Sequence, residues 1–189
     1  MAGTAAGDAD VVALLMRQHG DIRNLFDEVE RTTGDERRAA FRRLVRLLAV
    51  HETAEEEVVH PFTRGSVPDG ERVVEARLTE EREAKEILSR LDGMDPDDPK
   101  FLPELLALRL DVMAHARAEE RYEFNHIRRN ADEARLAAMA TALKAAEATA
   151  PTHPHPGTES AARNLALGPV AAVVDRTRDA VRKAMGKDG

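Results

Sequence analysis

Four stretches of the chain carry apolar residues every three or four positions, the spacing that lines one side of an α-helix. The first, residues 10–31, holds Val12, Leu15, Ile22, Phe26 and Val29, with Asp8 or Asp10 to cap its start and Gly34 in the loop beyond. The second, 35–60, holds Phe41, Leu44, Leu48 and Val58, and is expected to stop at Pro61, whose ring cannot continue a helix. TRGSVPDG, 63–70, reads as a loop. The third helix, 71–91, holds Val74, Leu78, Ala84, Leu88 and Leu91, and is followed by a Gly- and Pro-containing loop, DGMDPDDP. The fourth, 100–129, holds Phe101, Leu105, Leu108 and Val112. No segment alternates with period two for long enough to make a strand. The pattern predicts an all-α fold, an antiparallel up-down four-helix bundle over 8–130 with a C-terminal helical extension. That extension comprises an Ala-rich helical segment over 131–150, which continues or follows the fourth helix. A Pro/Gly linker over 151–169 and an amphipathic helix over 170–185 complete it.

Polar residues interrupt the apolar stripes. At about 100° per residue, His19 falls among Val12, Leu15, Ile22 and Phe26. His51 and Glu55 share a face with Leu44, Leu48 and Val58. Glu81 falls between Val74, Leu78, Ala84 and Leu88, while His115 and Glu119 share a face with Leu108 and Val112. A buried carboxylate is costly unless it is paired or bound to a cation, so six such residues on four helices call for a common cause. Counted from the connecting loops, they lie at similar depths: His51 and Glu81 are each 10 residues from the ends of the middle loop, and His19 and His115 are 12 and 15 residues from theirs. In an antiparallel bundle these counts bring these four to one level. Both halves carry H-x-x-x-E-E, as His51, Glu55, Glu56 and His115, Glu119, Glu120, and i, i+4 spacing puts the first two groups of each on one side of a helix.

Composition narrows the chemistry. The 189 residues contain no Cys, which excludes disulfides, thiolate-bound zinc, Cys-held iron–sulfur clusters and a Cys nucleophile. Aromatics are only 3%, in keeping with closely packed Ala- and Leu-rich helices, and the net charge of −7 repels phosphate, so no nucleic acid is expected as a partner. The start of the chain lacks a signal-peptide pattern. No apolar run approaches the roughly 20 residues of a transmembrane helix, and the expected location is cytoplasmic. Three His and three Glu converging on a bundle axis describe a dinuclear metal site, with carboxylates able to bridge two cations. Mixed imidazole and carboxylate donors suit iron, with manganese as the other choice.

His19, then HETAE at 51–55, then HARAE at 115–119, on four helices, resembles the hemerythrin-like, HHE cation-binding proteins over roughly residues 10–129. The resemblance implies a four-helix bundle around a non-haem centre of two iron ions that handles oxygen, peroxide or nitric oxide, or senses iron. It implies His19, His51, Glu55, His115 and Glu119 as ligands. The family usually has a His in the third helix; here TEEREAKEIL, 79–88, has Glu81 at that place by its stripe position. Carboxylate oxygens are hard donors that favour ferric iron, so three Glu shift the expectation from oxygen carriage toward peroxide disposal or redox sensing. An iron-dependent sensor or partner-binding protein without turnover, a ferritin-like di-iron oxidase and a metal-free helical interaction protein are the alternatives.

Other residues have two readings. Glu81 could instead pair with Arg77 or Arg82. Glu57-x-x-His60 and Glu123-x-x-His126 match the E-x-x-H of ferritin-like bundles, but Glu57 and His60 point about 240° and 180° away from His51, off the apolar face. His60 abuts Pro61 and sits nine residues after His51, as Phe124 sits nine after His115, so it is expected at the bundle end in an aromatic's place. Tyr122, one turn beyond Glu119, is a core aromatic or a hydroxyl beside the metals. Asp111, one turn before His115, could orient that ring. His153 and His155 read as exposed linker residues. The last helix, with Arg176, Arg178, Arg182 and Lys183, could dock on the acidic bundle, pair two copies into a homodimer or touch a membrane surface.

Overall fold

The computed structural model describes residues 10–156, and every regular element in them is helical. The C-terminal helix expected over 170–185, and with it any dimer contact, lies outside the described residues, as does Asp8. α1 spans Val11–Arg31, α2 Gly34–Ser66, α3 Gly70–Asp92 and α4 Phe101–Ala118. A π turn, Glu119–Glu123, joins α4 to α5, Phe124–Asn130, and α6 runs Glu133–Thr149. Asp10 caps α1 by accepting the Val12 N–H at 2.9 Å, which relieves one of the donors a helix start leaves bare.

Side-chain pairs fix the directions. Glu28 meets Arg43 and Gln18 meets His51 across α1 and α2. Arg64 meets Glu71, and Lys85 meets Glu56, across α2 and α3. Arg90 meets Glu104, and Glu80 meets His115, across α3 and α4. Glu30 meets Arg109, and His19 meets Glu120, between α1 and the fourth helical segment. In every pair one number rises as the other falls, so neighbours are antiparallel and α1 closes the ring on α4.

The turn between α2 and α3 differs from the sequence expectation. α2 does not stop at Pro61; it continues to Ser66 with the proline inside. Pro61 forgoes one backbone hydrogen bond, but buried Val59, His60 and Thr63 anchor the turns on either side of it in the interior. The turn to α3 is correspondingly tight: Asp69 adopts a left-handed φ of 55°, and a Cβ at Gly70 would lie 2.3 Å from the Thr63 carbonyl oxygen. At the other end of the ring, Arg38 holds Asp95 and Asp97, both at 2.6 Å, and so ties the α3–α4 loop to the start of α2.

The interior has two apolar regions. One, around Phe26, Phe41, Leu44, Leu88, Phe101 and Leu105, fills the end near the α1–α2 and α3–α4 loops. The other gathers Val11, Leu15, Val59, Phe124 and Ile127 with Met139, Ala140 and Leu143 of α6. The Ala-rich segment is thus a separate helix that follows the fourth and packs across α1 and α2. Residues 151–156 follow it with Thr152 and His153 buried. His153 Nδ1 lies 3.0 Å from Asp92 Oδ2, so it is not the exposed linker residue its Pro-rich setting suggests; the hydrogen bond ties it to the end of α3.

Candidate metal centre

Between the two apolar regions lies a belt of polar side chains. His19 follows Leu15 on α1, His51 and Glu55 follow Leu48 on α2, Glu81 precedes Ala84 on α3, and His115 and Glu119 follow Val112. The antiparallel ring brings them to one level. Glu55, Glu81 and Glu119 are at most 1% exposed, and His19 and His51 at most 4%. His19, His51 and Glu55 form one group whose ligand atoms all lie within 4.8 Å of one another; Glu55, His115 and Glu119 form a second. Glu55 belongs to both.

Nε2 of His19 is 3.4 Å from Glu119 Oε2, Nε2 of His51 is 3.4 Å from Glu55 Oε2, and Nε2 of His115 is 3.4 Å from Glu119 Oε1. Yet His19 Nε2, His115 Nε2 and both oxygens of Glu55, Glu81 and Glu119 are buried without a hydrogen-bond partner. Buried polar atoms are rarely left so. Donor atoms bound to one ion at ~2.1 Å lie ~3.0 Å apart at right angles and ~4.2 Å apart in line. The 3.4 Å separations within each group, His51 to Glu55 and His115 to Glu119, fall within that span, and a donor set of imidazoles and carboxylates fits a first-row metal ion.

The outer nitrogens are anchored. His19 Nδ1 is 2.9 Å from Glu120 Oε1, His51 Nδ1 is 2.8 Å from Gln18 Oε1, and His115 Nδ1 is 2.9 Å from Glu80 Oε2. Each acceptor is placed to take an Nδ1–H, which in a neutral ring leaves the Nε2 lone pair directed inward. Gln18 in turn donates from Nε2 to Glu147 of α6 at 2.5 Å, which turns its oxygen toward His51. Sequence reasoning assigned no role to Gln18, Glu80 and Glu120. Their signal was adjacency: each precedes or follows an inward residue, and so points about 100° round, toward the next helix.

The charges are consistent with a cation site. Burial, reinforced by neighbouring His19, pushes His51 down to about 3, which keeps it neutral and able to donate its lone pair. Burial, and then the Glu119 charge, drive Glu55 well above the ordinary carboxylate range. Burial works the same way on Glu119, but His115 overcomes it and holds that carboxyl well below the range. Beside the belt, Lys85 is buried against Glu56 and lies 4.0 Å from Glu52. A pocket opens onto the histidines, with Ile22, Leu48, Ala84, Val112 and Met113 among its apolar walls.

Several expectations need correction. His60 does not leave the interior: it is 1% exposed, with Nε2 3.2 Å from Glu81 Oε1. The helical wheel allowed α2 a single buried face, whereas α2 is flanked by α1, α3 and α6 and is buried without a break from His51 to Glu56. Glu81 therefore faces His60, while Arg77 engages Glu80 and Glu123 and Arg82 is exposed. Tyr122 is 65% exposed and is not in the core. The i→i+5 turn over Glu119–Glu123 takes in one residue more than an α turn. Side chains beyond it lag around the axis, so Tyr122 swings out while Glu123 and Phe124 swing in. Phe124 stacks on His19 with centroids 5.5 Å apart. Asp111 is exposed at the pocket, and Glu80 occupies the anchoring place beside His115. The two E-x-x-H pairs do not converge: Glu57 is half-buried, and His126 Nε2 donates to the Ser66 carbonyl at 2.5 Å.

Residues 10–127 match the hemerythrin HHE cation-binding domain, and the chain belongs to that family. An uncharacterised hemerythrin-like protein of Schizosaccharomyces pombe is 28% identical over 138 residues, which are 72% of this chain and 68% of the yeast protein. A protein of Nostoc sp. named DNA nickase is 27% identical over 146 residues, 77% of this chain; the aligned part is 41% of the cyanobacterial protein's length. No solved structure matches the chain significantly. Among the described residues, no helix is long and apolar enough to cross a membrane.

Proposed function

We propose that the chain is a non-haem di-iron protein that binds or reduces a small oxidant (oxygen, peroxide or nitric oxide) in an up-down four-helix bundle. Membership of a cation-binding family supports a metal. The observation that carries the reading is the convergence of buried, unpartnered donor atoms in two groups that share Glu55. His19 and His51 would hold one ion, His115 and Glu119 the other, and Glu55 would bridge them, with Glu81 beside the second. Iron in this setting supplies one-electron chemistry toward oxygen species. The chain's own contribution is to fix the ligand rings through Gln18, Glu80 and Glu120, to exclude bulk water, and to offer an apolar-walled pocket sized for a small, weakly polar ligand.

The donor set favours oxidant chemistry over reversible carriage, since anionic oxygen donors stabilise the ferric state. The nickase name of the Nostoc relative is not carried over: much of that protein lies outside the aligned segment, and a net charge of −7 opposes DNA binding. Metal analysis and absorption spectra of protein purified from iron-replete cells test the proposal. Two irons per chain, with a visible band that changes on adding peroxide or nitric oxide, are expected. A colourless protein that takes up no iron on anaerobic reconstitution would overturn it.

A further inference from the structure

His60 has no place in the ligand set just described, yet it carries the same signature as its members. It is 1% exposed, and neither ring nitrogen has a hydrogen-bond partner. Its Nε2 lies 3.2 Å from Glu81 Oε1, and both oxygens of Glu81 are likewise without a hydrogen bond. An imidazole and a carboxylate this close, buried together, would ordinarily be joined by an N–H···O bond. Close approach without that bond also marks His115 with Glu119, two members of one group. It is the geometry of donors that converge on a shared ion.

Glu81 connects this pair to the second group, because its Oε1 is also 4.0 Å from His115 Nε2. Ligands of one ion are ~3.0 Å apart when adjacent and ~4.2 Å apart when opposite, for bonds of ~2.1 Å. The contacts of 3.2 and 4.0 Å sit near those two values. The second group, Glu55, His115 and Glu119, contains one imidazole where the first contains two. The α3 residue beside it, Glu81, is a carboxylate, and the imidazole in contact with that carboxylate is on α2, one residue before Pro61.

We propose that His60 is a metal ligand of the second ion position, delivered from α2 alongside Glu81 in place of an imidazole from the third helix. The inference rests on the di-iron reading and adds a residue to it. The alternative is that His60 is only the charge partner of Glu81.

The test is anaerobic titration of the metal-free protein with ferrous iron, comparing the wild type with His51→Ala, His60→Phe, Glu81→Ala and the double variant His60→Phe/Glu81→Ala. Phe fills the space of His60 without a donor atom, and circular dichroism reports that each variant remains helical. In the wild type two ions bind. His60→Phe binds the second at least tenfold more weakly, and the double variant binds it more weakly than Glu81→Ala alone. Wild-type stoichiometry and affinity in His60→Phe would overturn the proposal. So would equality of the double variant with Glu81→Ala, because His60 would then act only through Glu81. If the wild type takes up no iron, the di-iron reading itself fails. If the wild type binds two ions and His51→Ala loses one while His60→Phe keeps both, only the role of His60 fails.

Discussion

Each ring of the belt has two nitrogens with different duties, and the outer one decides what the inner one can do. Gln18 holds His51 at Nδ1, and Glu147 holds Gln18. Losing such an outer partner typically weakens metal binding by about 10–100-fold. Gln18→Ala is therefore expected to lower iron affinity by roughly that factor with helicity unchanged, as read by competition with a chelator; unchanged affinity would mean that packing alone orients His51. Glu81 sets the redox balance in a second way. Glu81→His replaces an anionic oxygen donor with a neutral nitrogen, which removes stabilisation from ferric iron. A redox titration should give a higher potential than in the wild type. An identical potential would show that Glu81 does not bind metal. Tyr122 offers a contrast: at 65% exposure it is outside the belt, so Tyr122→Phe should leave both the absorption spectrum and the metal content as they are. A changed spectrum would place the hydroxyl near the metals after all.

At the scale of elements, the sequence was informative where periodicity is regular. Loop-to-residue counts anticipate the common level of His19, His51, Glu81 and His115 because α1 to α4 are long and antiparallel. Three elements escaped that arithmetic, each for a physical reason. The π turn at Glu119–Glu123 inserts a residue without any compositional mark and rotates Tyr122 out and Phe124 in. Pro61 reads as a stop, but one lost hydrogen bond is outweighed when the turns around it are buried. α6 gives α2 a second buried side, which a wheel drawn for one apolar face does not contain. The extension of α2 has a consequence for stability. It leaves only three residues to turn into α3, and Gly70 passes so close to the Thr63 carbonyl that a methyl group there would force the backbone apart. Gly70→Ala should cost about 1–3 kcal/mol, seen as a lower urea midpoint with an unchanged slope. A midpoint equal to the wild type's would show that the turn opens freely.

On the scale of the whole molecule, the belt loads the interior with negative charge. Glu52, Glu55, Glu56, Glu81, Glu119 and Glu123 are all buried, and Lys85 is the buried lysine among them. Arg77, whose Nε is 3.4 Å from Glu123, approaches from the side. Carboxylates in such surroundings either take up protons or bind cations; burial and the Glu119 charge already raise Glu123 to about 7 in the metal-free chain. Two divalent ions would supply the missing positive charge at the centre of the ring, where the two apolar regions meet. Metal that binds only the folded chain adds about 4.1 kcal/mol at a thousandfold excess over its dissociation constant. For a chain of this length that corresponds to a rise of roughly 8–16 °C in melting temperature. The increment should shrink as pH falls. Ligand binding requires neutral imidazoles and ionised carboxylates, so protons compete with the metal, and a lower pH moves the balance toward the metal-free state. Melting curves of iron-loaded and chelator-treated protein, recorded at about pH 7.5 and again at about pH 5.5, test both parts. A wide gap at the higher pH and a narrow one at the lower pH are expected. Curves that coincide at the higher pH would mean that the belt is held by its own hydrogen bonds and charge pairs, and that no ion completes it.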